Sequence, residues 1–503
     1  MTTVLESDVV IIGSGMGGST MALGLASQGI ECLVLERGQR LPREPENWNP
    51  TEVFVHGRYK AKEKWWASRE DREFAPGVHY VVGGNTKVFG ASLPRFREED
   101  FAELKHADGI APAWPFSYAE FEPWYGEAER VFGVHGTPGA DPTEPWRSGD
   151  YPYPALPHEP AVERVASGLR GLGLHPSYSA MAVDLRAGGT CIRCSTCDGF
   201  PCMVGAKGDA ETRALNPALT TGKARLLDGI QVQRLITDTS GTRVVEAIAT
   251  RGGEELRIRG RSFVLSAGAV NSAVLLLRSA NDRHPDGLAN SSGQVGRNYM
   301  VHNATFLVAI DPLHRNDVAF QKTLMINDWY LTGPEGFPLG NVQMLGKLRA
   351  AMIKGARPLY PTWALKMATD RSWDFYLESE DLPSPDNRVT LGPGGRIDVA
   401  WTANNMDSHR ALIRETSRAL KSIGFPVVIT QTMGVETNSH QCGTVVAGND
   451  PATSVLDQYC RTHDVENLFV VDGSYFPSSA AVNPALTIAA QALRVAHEGD
   501  VLR

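Results

Sequence analysis

Residues 9–18, VVIIGSGMGG, decide the fold. The first four are apolar and β-branched, which predicts a short strand buried in a parallel sheet. A helix is predicted over residues 19–28, where a run of helix formers ends at Gly29, and a second strand is predicted over 31–35. Strand, helix and strand in this order form a βαβ unit. The sequence therefore predicts a Rossmann-type α/β domain that begins in the first residues of the chain.

The turn of this unit has the spacing of a dinucleotide-binding motif. Gly13, Gly15 and Gly18 form G-x-G-x-x-G directly between the strand and the helix. The first glycine permits a tight turn, the second lets a pyrophosphate approach the backbone, and the third lets the helix pack on the strand. Glu36 follows the second strand, where its carboxylate can accept hydrogen bonds from ribose hydroxyls. The motif predicts a bound dinucleotide and leaves FAD and NAD open.

The bulk composition narrows the classes of function. A chain of 503 residues is too long for one compact core, so at least two substructures are expected. The net charge of -8 offers no basic face, so we expect no nucleic-acid partner. The longest apolar runs have strand length, far below the ~20 residues that cross a bilayer. The first ten residues lack the pattern of a secretory signal, so the sequence predicts a cytoplasmic protein with no membrane partner.

Periodicity predicts further elements along the chain. Amphipathic helices are expected near residues 118–132 and over 408–423, and a Pro-rich loop is expected over 137–160. Strands are predicted over 231–238 and 244–251. Residues 300–430, which include the second of these helices, are expected to form a separate β-rich region.

Four further motifs lie outside the N-terminal unit. They are VGGNTKVFG at 82–90, FVLSAGAVNS at 263–272, NSHQCGT at 438–444, and VVDGS at 470–474 with VNPALT at 482–487. Together they resemble the glucose–methanol–choline (GMC) oxidoreductase family along essentially the whole chain. Within that family the sequence is most similar to pyranose oxidases and bacterial glycoside 3-oxidases, because the flavin loop ends in the same Pro-Arg-Phe.

The resemblance implies an α/β fold of two domains. One is a Rossmann-type FAD-binding domain formed by residues 1–100, 186–300 and 431–503. The other is a substrate-binding domain of β-sheet plus helices, α+β in character, formed by residues 101–185 and 301–430. The resemblance also implies that the dinucleotide is FAD.

The resemblance further implies the catalytic residues, His440 and Asn483. Oxidation of an alcohol removes a proton from oxygen and a hydride from carbon, and the hydride goes to flavin N5. A neutral imidazole is a suitable general base, because its ordinary pKa lies near the working pH. The asparagine amide can hold the same hydroxyl oxygen and orient the C–H bond. Nothing in the sequence supports a comparable role for His302 or His409, which we interpret as structural.

The residues expected around FAD follow from the same motifs, and no metal ligand is among them. Gly84, Asn85 and Thr86 are expected near the flavin ring, Val232 at the adenine, and Ala267 and Asp472 at the phosphates and ribityl chain. The full expected set is Gly13, Gly15, Gly17, Gly18, Glu36, Arg37, Gly84, Asn85, Thr86, Val232, Ala267, Asp472, Gly473, Pro484 and Thr487.

Two positions in the flavin loop depart from the fungal sugar oxidases. Those enzymes attach the flavin covalently to a histidine, whose position here is taken by Val88. Because valine cannot form that bond, non-covalent FAD is expected. Gly90 lies where the fungal oxidases have threonine, which leaves the electron acceptor open.

Four cysteines form a cluster in sequence. Cys191, Cys194, Cys197 and Cys202 have the spacing C-x-x-C-x-x-C-x-x-x-x-C, which on spacing alone is typical of an iron–sulfur or zinc site. The last interval departs from the ferredoxin pattern. Bacterial GMC enzymes carry a similar run before a Gly-Ala-Lys segment, here 205–207, with no metal known for it. A metal site, disulfides and free thiols all remain open.

The function that these features favour is oxidation of a secondary hydroxyl of a sugar or glycoside, with C3 preferred and oxygen reduced to hydrogen peroxide. One alternative is a dehydrogenase that passes electrons to a quinone or protein acceptor. Another is a flavin-binding protein without turnover. The acidic, aromatic stretch 374–386 could offer carboxylates to sugar hydroxyls, but exposed, solvated charge is the more common meaning of such a run.

Overall fold

The computed structural model describes residues 3–356, 358–437 and 439–502, so Asn438 of the third motif lies outside the described residues. No helix in these ranges combines the length and the apolar composition that crossing a bilayer requires. The helices are α1 Met16–Ser27, α2 Tyr118–Phe132, α3 Pro160–Gly171, α4 Asn216–Thr220, α5 Ala269–Arg278, α6 Ala350–Ala356, α7 Thr362–Thr369, α8 Met406–Ser422 and α9 Ala485–Glu498.

The strands of the same ranges form two large sheets and several small ones. In chain order they are β1 Thr3–Ile12, β2 Cys32–Leu35, β3 Trp65–Ala67, β4 Arg72–Phe74, β5 Leu104–Lys105, β6 Ile110–Ala111, β7 His135–Gly136, β8 Tyr153–Pro154, β9 Ser177–Tyr178, β10 Ala224–Leu227, β11 Gln231–Thr237, β12 Val244–Arg251, β13 Glu254–Leu265, β14 Asn303–Ile310, β15 Leu324–Ile326, β16 Asn341–Met344, β17 Ser372–Ser379, β18 Arg388–Leu391, β19 Ile397–Ala400, β20 Val427–Thr432 and β21 Leu468–Val470.

The first large sheet has seven strands in the order β10-β2-β1-β13-β12-β11, with β21 also paired to β13. Strands β10, β2, β1, β13 and β21 run parallel, whereas β12 and β11 extend the sheet as an antiparallel ribbon. Val9, Val10 and Ile11 are fully buried, as expected for a strand covered on both faces. With α1 between β1 and β2, the predicted βαβ unit and the α/β fold class are confirmed.

Helix α1 begins at Met16, three residues before the predicted start. The prediction placed its start after the glycines because glycine is a poor helix former. In the structure Gly17 and Gly18 belong to the first turn of the helix, where they lie directly on other backbone. A Cβ atom on Gly17 would be 1.8 Å from the carbonyl oxygen of Val471. Close packing therefore outweighs propensity at this position.

The second large sheet is antiparallel, in the order β20-β14-β17-β16-β15-β9. One face packs on α3 and α8, with Leu307 of β14 and Phe375 and Leu377 of β17 in the shared core. Because side chains alternate along a strand, Phe306 and Tyr376 point to the opposite face, which lines a large cavity. The alternation along β14 and β17 thus separates core residues from cavity residues.

Two contacts cross the predicted domain limits. The four-stranded sheet β18-β19-β3-β4 joins strands of the predicted substrate domain to strands of the predicted FAD domain. Helix α2 packs against α9 in the main core, although residues 101–185 were assigned to the substrate domain. The proposed division into domains therefore has an extensive shared interface.

Candidate active site

A cavity of about 1520 Å³ connects the glycine turn after β1 with the inner face of the second sheet. This volume exceeds the roughly 300–1,000 Å³ of an ordinary small-molecule pocket. There is therefore room for a dinucleotide together with a substrate. The lining includes both predicted catalytic residues, His440 and Asn483.

Most of the predicted cofactor-binding residues also line this cavity. The two that do not are Gly18 and Thr487. A Cβ on Gly18 would lie 2.0 Å from the carbonyl oxygen of Gly13, so this glycine serves the packing of α1 on the turn. Thr487 is buried, with its hydroxyl 2.7 Å from that of Tyr125 in α2, because this face of α9 points toward α2. The lining members are Gly13, Gly15, Gly17, Glu36, Arg37, Gly84, Asn85, Thr86, Val232, Ala267, Asp472, Gly473 and Pro484.

The glycine turn forms a cradle of backbone. Gly13 has φ +104°, and a Cβ there would lie 2.1 Å from the carbonyl oxygen of Ser266. Gly15, in contrast, has no described atom within 4 Å of where its Cβ would be. The turn therefore opens toward the cavity at Gly15, beside the N-terminus of α1, where free N–H groups favour an anion such as a pyrophosphate.

Glu36 lies at the cavity wall with its carboxylate held by three donors. Its Oε2 accepts hydrogen bonds from the backbone N–H of Ser14 (3.0 Å) and from its hydroxyl (2.7 Å), and Oε1 accepts from the N–H of Gly38 (2.8 Å). Burial raises the pKa of this carboxyl. Nearby, the Ser266 hydroxyl is buried and has no hydrogen-bond partner among the described residues. These groups fit the ribose and phosphates of a dinucleotide.

The side chains of Asn85 and Thr86 hold the loop that carries them. Asn85 Oδ1 accepts from the N–H of His79 (2.8 Å), and its Nδ2 donates to the carbonyl of Gly77 (3.1 Å). The Thr86 hydroxyl donates to the carbonyl of Gly83 (2.6 Å). Hydrogen bonds within residues 77–86 therefore hold this part of the cavity wall in place.

His440 and Asn483 are joined at the other end of the cavity through two side chains of the second sheet. Nδ1 of His440 lies 2.8 Å from Oε1 of Glu378 in β17. The side-chain nitrogen Nε2 of Gln343, in β16, is 2.7 Å from Oε2 of Glu378 and 3.0 Å from Oδ1 of Asn483. The structure thus brings the predicted pair into one hydrogen-bonded group.

His302, interpreted from the sequence as structural, is buried and belongs to this hydrogen-bonded group as well. Its Nδ1 lies 2.8 Å from Glu378 Oε1 and 3.0 Å from His440 Nδ1, and its Nε2 lies 3.1 Å from the carbonyl oxygen of Ser479. The ligand atoms of the two histidines and Glu378 are all within 4.8 Å of one another, close enough to hold a metal ion. The 2.8 Å contacts are those of charge-assisted hydrogen bonds.

Two family models, both described as GMC oxidoreductase, match residues 7–304 and 383–492. The chain belongs to the GMC oxidoreductase family. The resemblance drawn from the motifs is thereby confirmed, and so is the prediction of an oxidoreductase acting on CH–OH groups.

Curated relatives and solved structures agree with this membership. The 6'''-hydroxyparomomycin C oxidase of Streptomyces lividus is 31% identical, with 97% of this chain and 90% of the relative covered. Paromamine 6'-oxidase of Streptomyces fradiae has the same identity and coverage. The crystal structure of pyridoxine 4-oxidase from Mesorbium loti matches with a TM-score of 0.69 at 19% identity, over 98% of this chain and 99% of that chain. This last likeness shows the fold.

The acidic stretch 374–386 of this GMC oxidoreductase is buried over residues 374–382, and among its acidic residues only Asp386 is exposed. Asp374, Glu378 and Asp381 are fully buried, and Glu380 is 3% exposed. Burial raises the pKa of Asp381 to about 7. The sequence could not show this, because the partners that stabilise these carboxylates come from distant strands and loops.

At the catalytic end of the cavity, the negative charge of Glu378 is offset by the neighbouring imidazoles of His302 and His440. Burial alone would raise the pKa of Glu378, but the imidazoles of His440 and His302 outweigh it and hold that pKa at about 2. Burial alone would lower the pKa of His302, but the facing carboxylate raises it. Tyr376, which lines the cavity beside them, has its phenol pKa raised by burial and by Glu378. Glu378 is therefore an anion at neutral pH.

No disulfide joins the four clustered cysteines within the described residues, and they lie on a loop beside the cavity. Burial raises the pKa of Cys197 to about 11. The buried ammonium of Lys207 donates to the carbonyl oxygens of Cys197 (2.9 Å) and Phe200 (2.8 Å), so this lysine of the Gly-Ala-Lys segment anchors the loop. The cysteines concerned are Cys191, Cys194, Cys197 and Cys202.

Proposed function

We propose that this GMC oxidoreductase binds FAD non-covalently and oxidises a secondary hydroxyl of a sugar or glycoside, preferably at C3, with oxygen as the electron acceptor. The observation that carries the proposal is the meeting of His440 and Asn483 at one end of a cavity whose other end is the glycine turn. The names of the two Streptomyces relatives, both oxidases, support oxidase activity on a sugar-like molecule.

His440 and Asn483 have different roles in the proposed oxidation of the alcohol. Bound FAD supplies the acceptor for the hydride that leaves the carbinol carbon. His440 takes the proton of the hydroxyl group, and a positioned base of this kind contributes roughly 10²–10⁴-fold to a rate. Asn483 holds the oxygen while the C=O bond forms, which fixes the C–H bond that breaks. The product is a ketone.

Val88 is a non-nucleophilic side chain at the cavity wall, which supports non-covalent attachment of FAD. Precipitation of the holoenzyme with acid is therefore expected to release all of its flavin into the supernatant. Absorbance spectra of supernatant and washed pellet measure this directly. A pellet that stays yellow after denaturation would show a covalent link and contradict this part of the proposal.

The outer part of the cavity suggests what the sugar carries. Apolar side chains from β14, from β20 and from the segment containing α6 and α7 line it, and they favour a glycoside with an apolar aglycone over a free sugar. They are Phe306, Val308, Leu348, Met352, Leu365 and Ile429. Burial of an aromatic ring against such a wall is worth about 1.5–3 kcal/mol.

Phenyl β-glucoside is therefore expected to have a kcat/KM about 10–100-fold above that of methyl β-glucoside, from the burial of one ring. The measurement is peroxide release in air, with a redox dye run in parallel and the position of the new ketone determined by NMR. Equal kcat/KM values for the two glucosides would contradict the apolar subsite. Dye reduction without peroxide would identify the alternative, a dehydrogenase.

A further inference from the structure

Glu378 contacts His440 directly and is linked to Asn483 through Gln343. Its side chain is fully buried in β17. Oxygen Oε1 lies 2.8 Å from Nδ1 of His440 and 2.8 Å from Nδ1 of His302. The other oxygen, Oε2, accepts from Gln343, whose same nitrogen reaches Asn483. One carboxylate therefore lies at the centre of the group, and its two oxygens serve different catalytic residues.

The protonation of His302 follows from the oxygen acceptors that face its two ring nitrogens. Nδ1 faces the Glu378 carboxylate, and Nε2 faces the carbonyl oxygen of Ser479 at 3.1 Å. Both of these oxygens only accept, so both ring nitrogens carry hydrogen, and the ring is an imidazolium. Its positive charge offsets the charge of the carboxylate, which lets both groups remain buried.

The tautomer of His440 is set by the same oxygen. Its Nδ1 is 2.8 Å from Glu378 Oε1, a carboxylate oxygen that only accepts, and the 3.0 Å between the two Nδ1 atoms is the separation of two donors that share this oxygen. The hydrogen of a neutral His440 ring therefore lies on Nδ1 and is donated to Glu378. The lone pair then lies on Nε2, the nitrogen needed for a general base.

The orientation of the Asn483 amide is set by the second oxygen. Because Oε2 of Glu378 only accepts, the Gln343 amide must turn its NH₂ group toward it. The same NH₂ group donates to Oδ1 of Asn483 at 3.0 Å. With its oxygen engaged in this way, the Asn483 amide presents Nδ2 as a donor, which suits an oxygen that gains negative charge as it loses its proton.

We propose that Glu378 is the positioning residue of this site: it fixes His440 as a base at Nε2 directly, and Asn483 as a donor at Nδ2 through Gln343. The inference rests on the proposed function, since it assigns complementary roles at the same hydroxyl group. One side chain accepts the proton and the other donates a hydrogen bond to the oxygen. Neither role is fixed by the sequence position of His440 or Asn483 alone.

The test is the rate of anaerobic flavin reduction by phenyl β-glucoside in Glu378→Gln, which keeps the shape of the side chain and removes its charge. We expect retained flavin, a similar substrate KM, and a rate lowered about 100-fold or more, because the glutamine no longer enforces the His440 tautomer. In the His440→Ala background, Glu378→Gln is expected to lower the reduction rate by less than about 10-fold, because the imidazole that Glu378 positions is already absent. A purely structural role would cost the same factor in both backgrounds and would overturn the proposal.

Asp374→Asn is the matched control. This carboxylate is also fully buried in β17, and it accepts from Gln321 (3.0 Å) and from the backbone N–H of Leu348 (3.1 Å), not from the catalytic pair. We expect its reduction rate to stay within about 3-fold of the unmodified enzyme, in the range of a change that leaves catalytic geometry intact. If the unmodified enzyme is reduced by the glucoside and Glu378→Gln matches it, the positioning role is wrong while the proposed function stands.

A second variant tests whether Glu378 orients Asn483 through Gln343, and it can be used even if Glu378→Gln fails to retain flavin. Gln343→Leu removes the bridge between Glu378 and Asn483 without touching His440. We expect a reduction rate about 10-fold lower in the unmodified background and no further loss in the Asn483→Ala background. An unchanged rate for Gln343→Leu in the unmodified background would overturn the assignment of the Asn483 orientation to Glu378.

Discussion

Replacement of His440 by alanine should leave a folded, yellow protein whose flavin is reduced at least about 100-fold more slowly by a glycoside, because the hydroxyl proton loses its acceptor. The side chain lies at the cavity wall and is only partly buried, so its removal leaves no large void. Stopped-flow absorbance under anaerobic conditions measures the rate of the reductive step without interference from the oxygen reaction.

His409→Ala is the control for the loss of a histidine. That side chain is fully buried under the second sheet, where Nε2 lies 2.8 Å from the hydroxyl of Thr305 and Nδ1 lies 3.0 Å from that of Ser379. The variant should lose thermal stability and keep its reduction rate. If His440→Ala is reduced as fast as the unmodified enzyme, the histidine has no part in the chemistry.

Gly15→Ala is expected to fold normally and to bind FAD about 5–150-fold more weakly. Gly15 has φ −68° and ψ −165°, which alanine can adopt, and its new Cβ would meet no described protein atom within 4 Å. The methyl group would instead occupy space at the cavity wall where the pyrophosphate is proposed. Overpacking of this kind costs about 1–3 kcal/mol. Because the methyl group is crowded only when FAD is bound, this cost weakens the binding of FAD and not the stability of the apoprotein. Titration of apoprotein with FAD, followed by flavin fluorescence, gives both dissociation constants.

Gly149→Ala is the control. It adds the same methyl group in open space on a loop away from the cavity, so the affinity for FAD should be unchanged. Thermal unfolding of the apoproteins separates folding from binding. The unmodified protein, Gly15→Ala and Gly149→Ala should all unfold at nearly the same temperature. Unaltered FAD affinity in Gly15→Ala would place the pyrophosphate elsewhere.

Local signals in the sequence were sufficient for several elements. Helix α2 occupies the predicted range 118–132 because Ser117 and Glu120 form a capping box at its start and Gly133, with φ +66°, ends it. Strand β12 also matches its predicted range, 244–251. The glycine turn could be predicted because its spacing is a property of contiguous residues.

Long-range pairing explains what the sequence did not reveal. His302 precedes β14 and Glu378 lies in β17, and they meet because Asn303 pairs with Ser379 in the antiparallel register. Nothing local to either residue specifies that register. For the same reason the acidic run was expected to be exposed: a buried carboxylate is stabilised by partners that only the assembled sheet supplies.

Anaerobic mixing of the purified holoenzyme with one equivalent of phenyl β-glucoside tests most directly whether the cavity is a working flavin site for alcohols. The expected result is loss of the flavin colour together with one ketosugar for each flavin, and return of the colour when air is admitted. A correctly folded holoenzyme whose flavin stays oxidised with this glucoside, and with free sugars and simple alcohols, would contradict the proposed function.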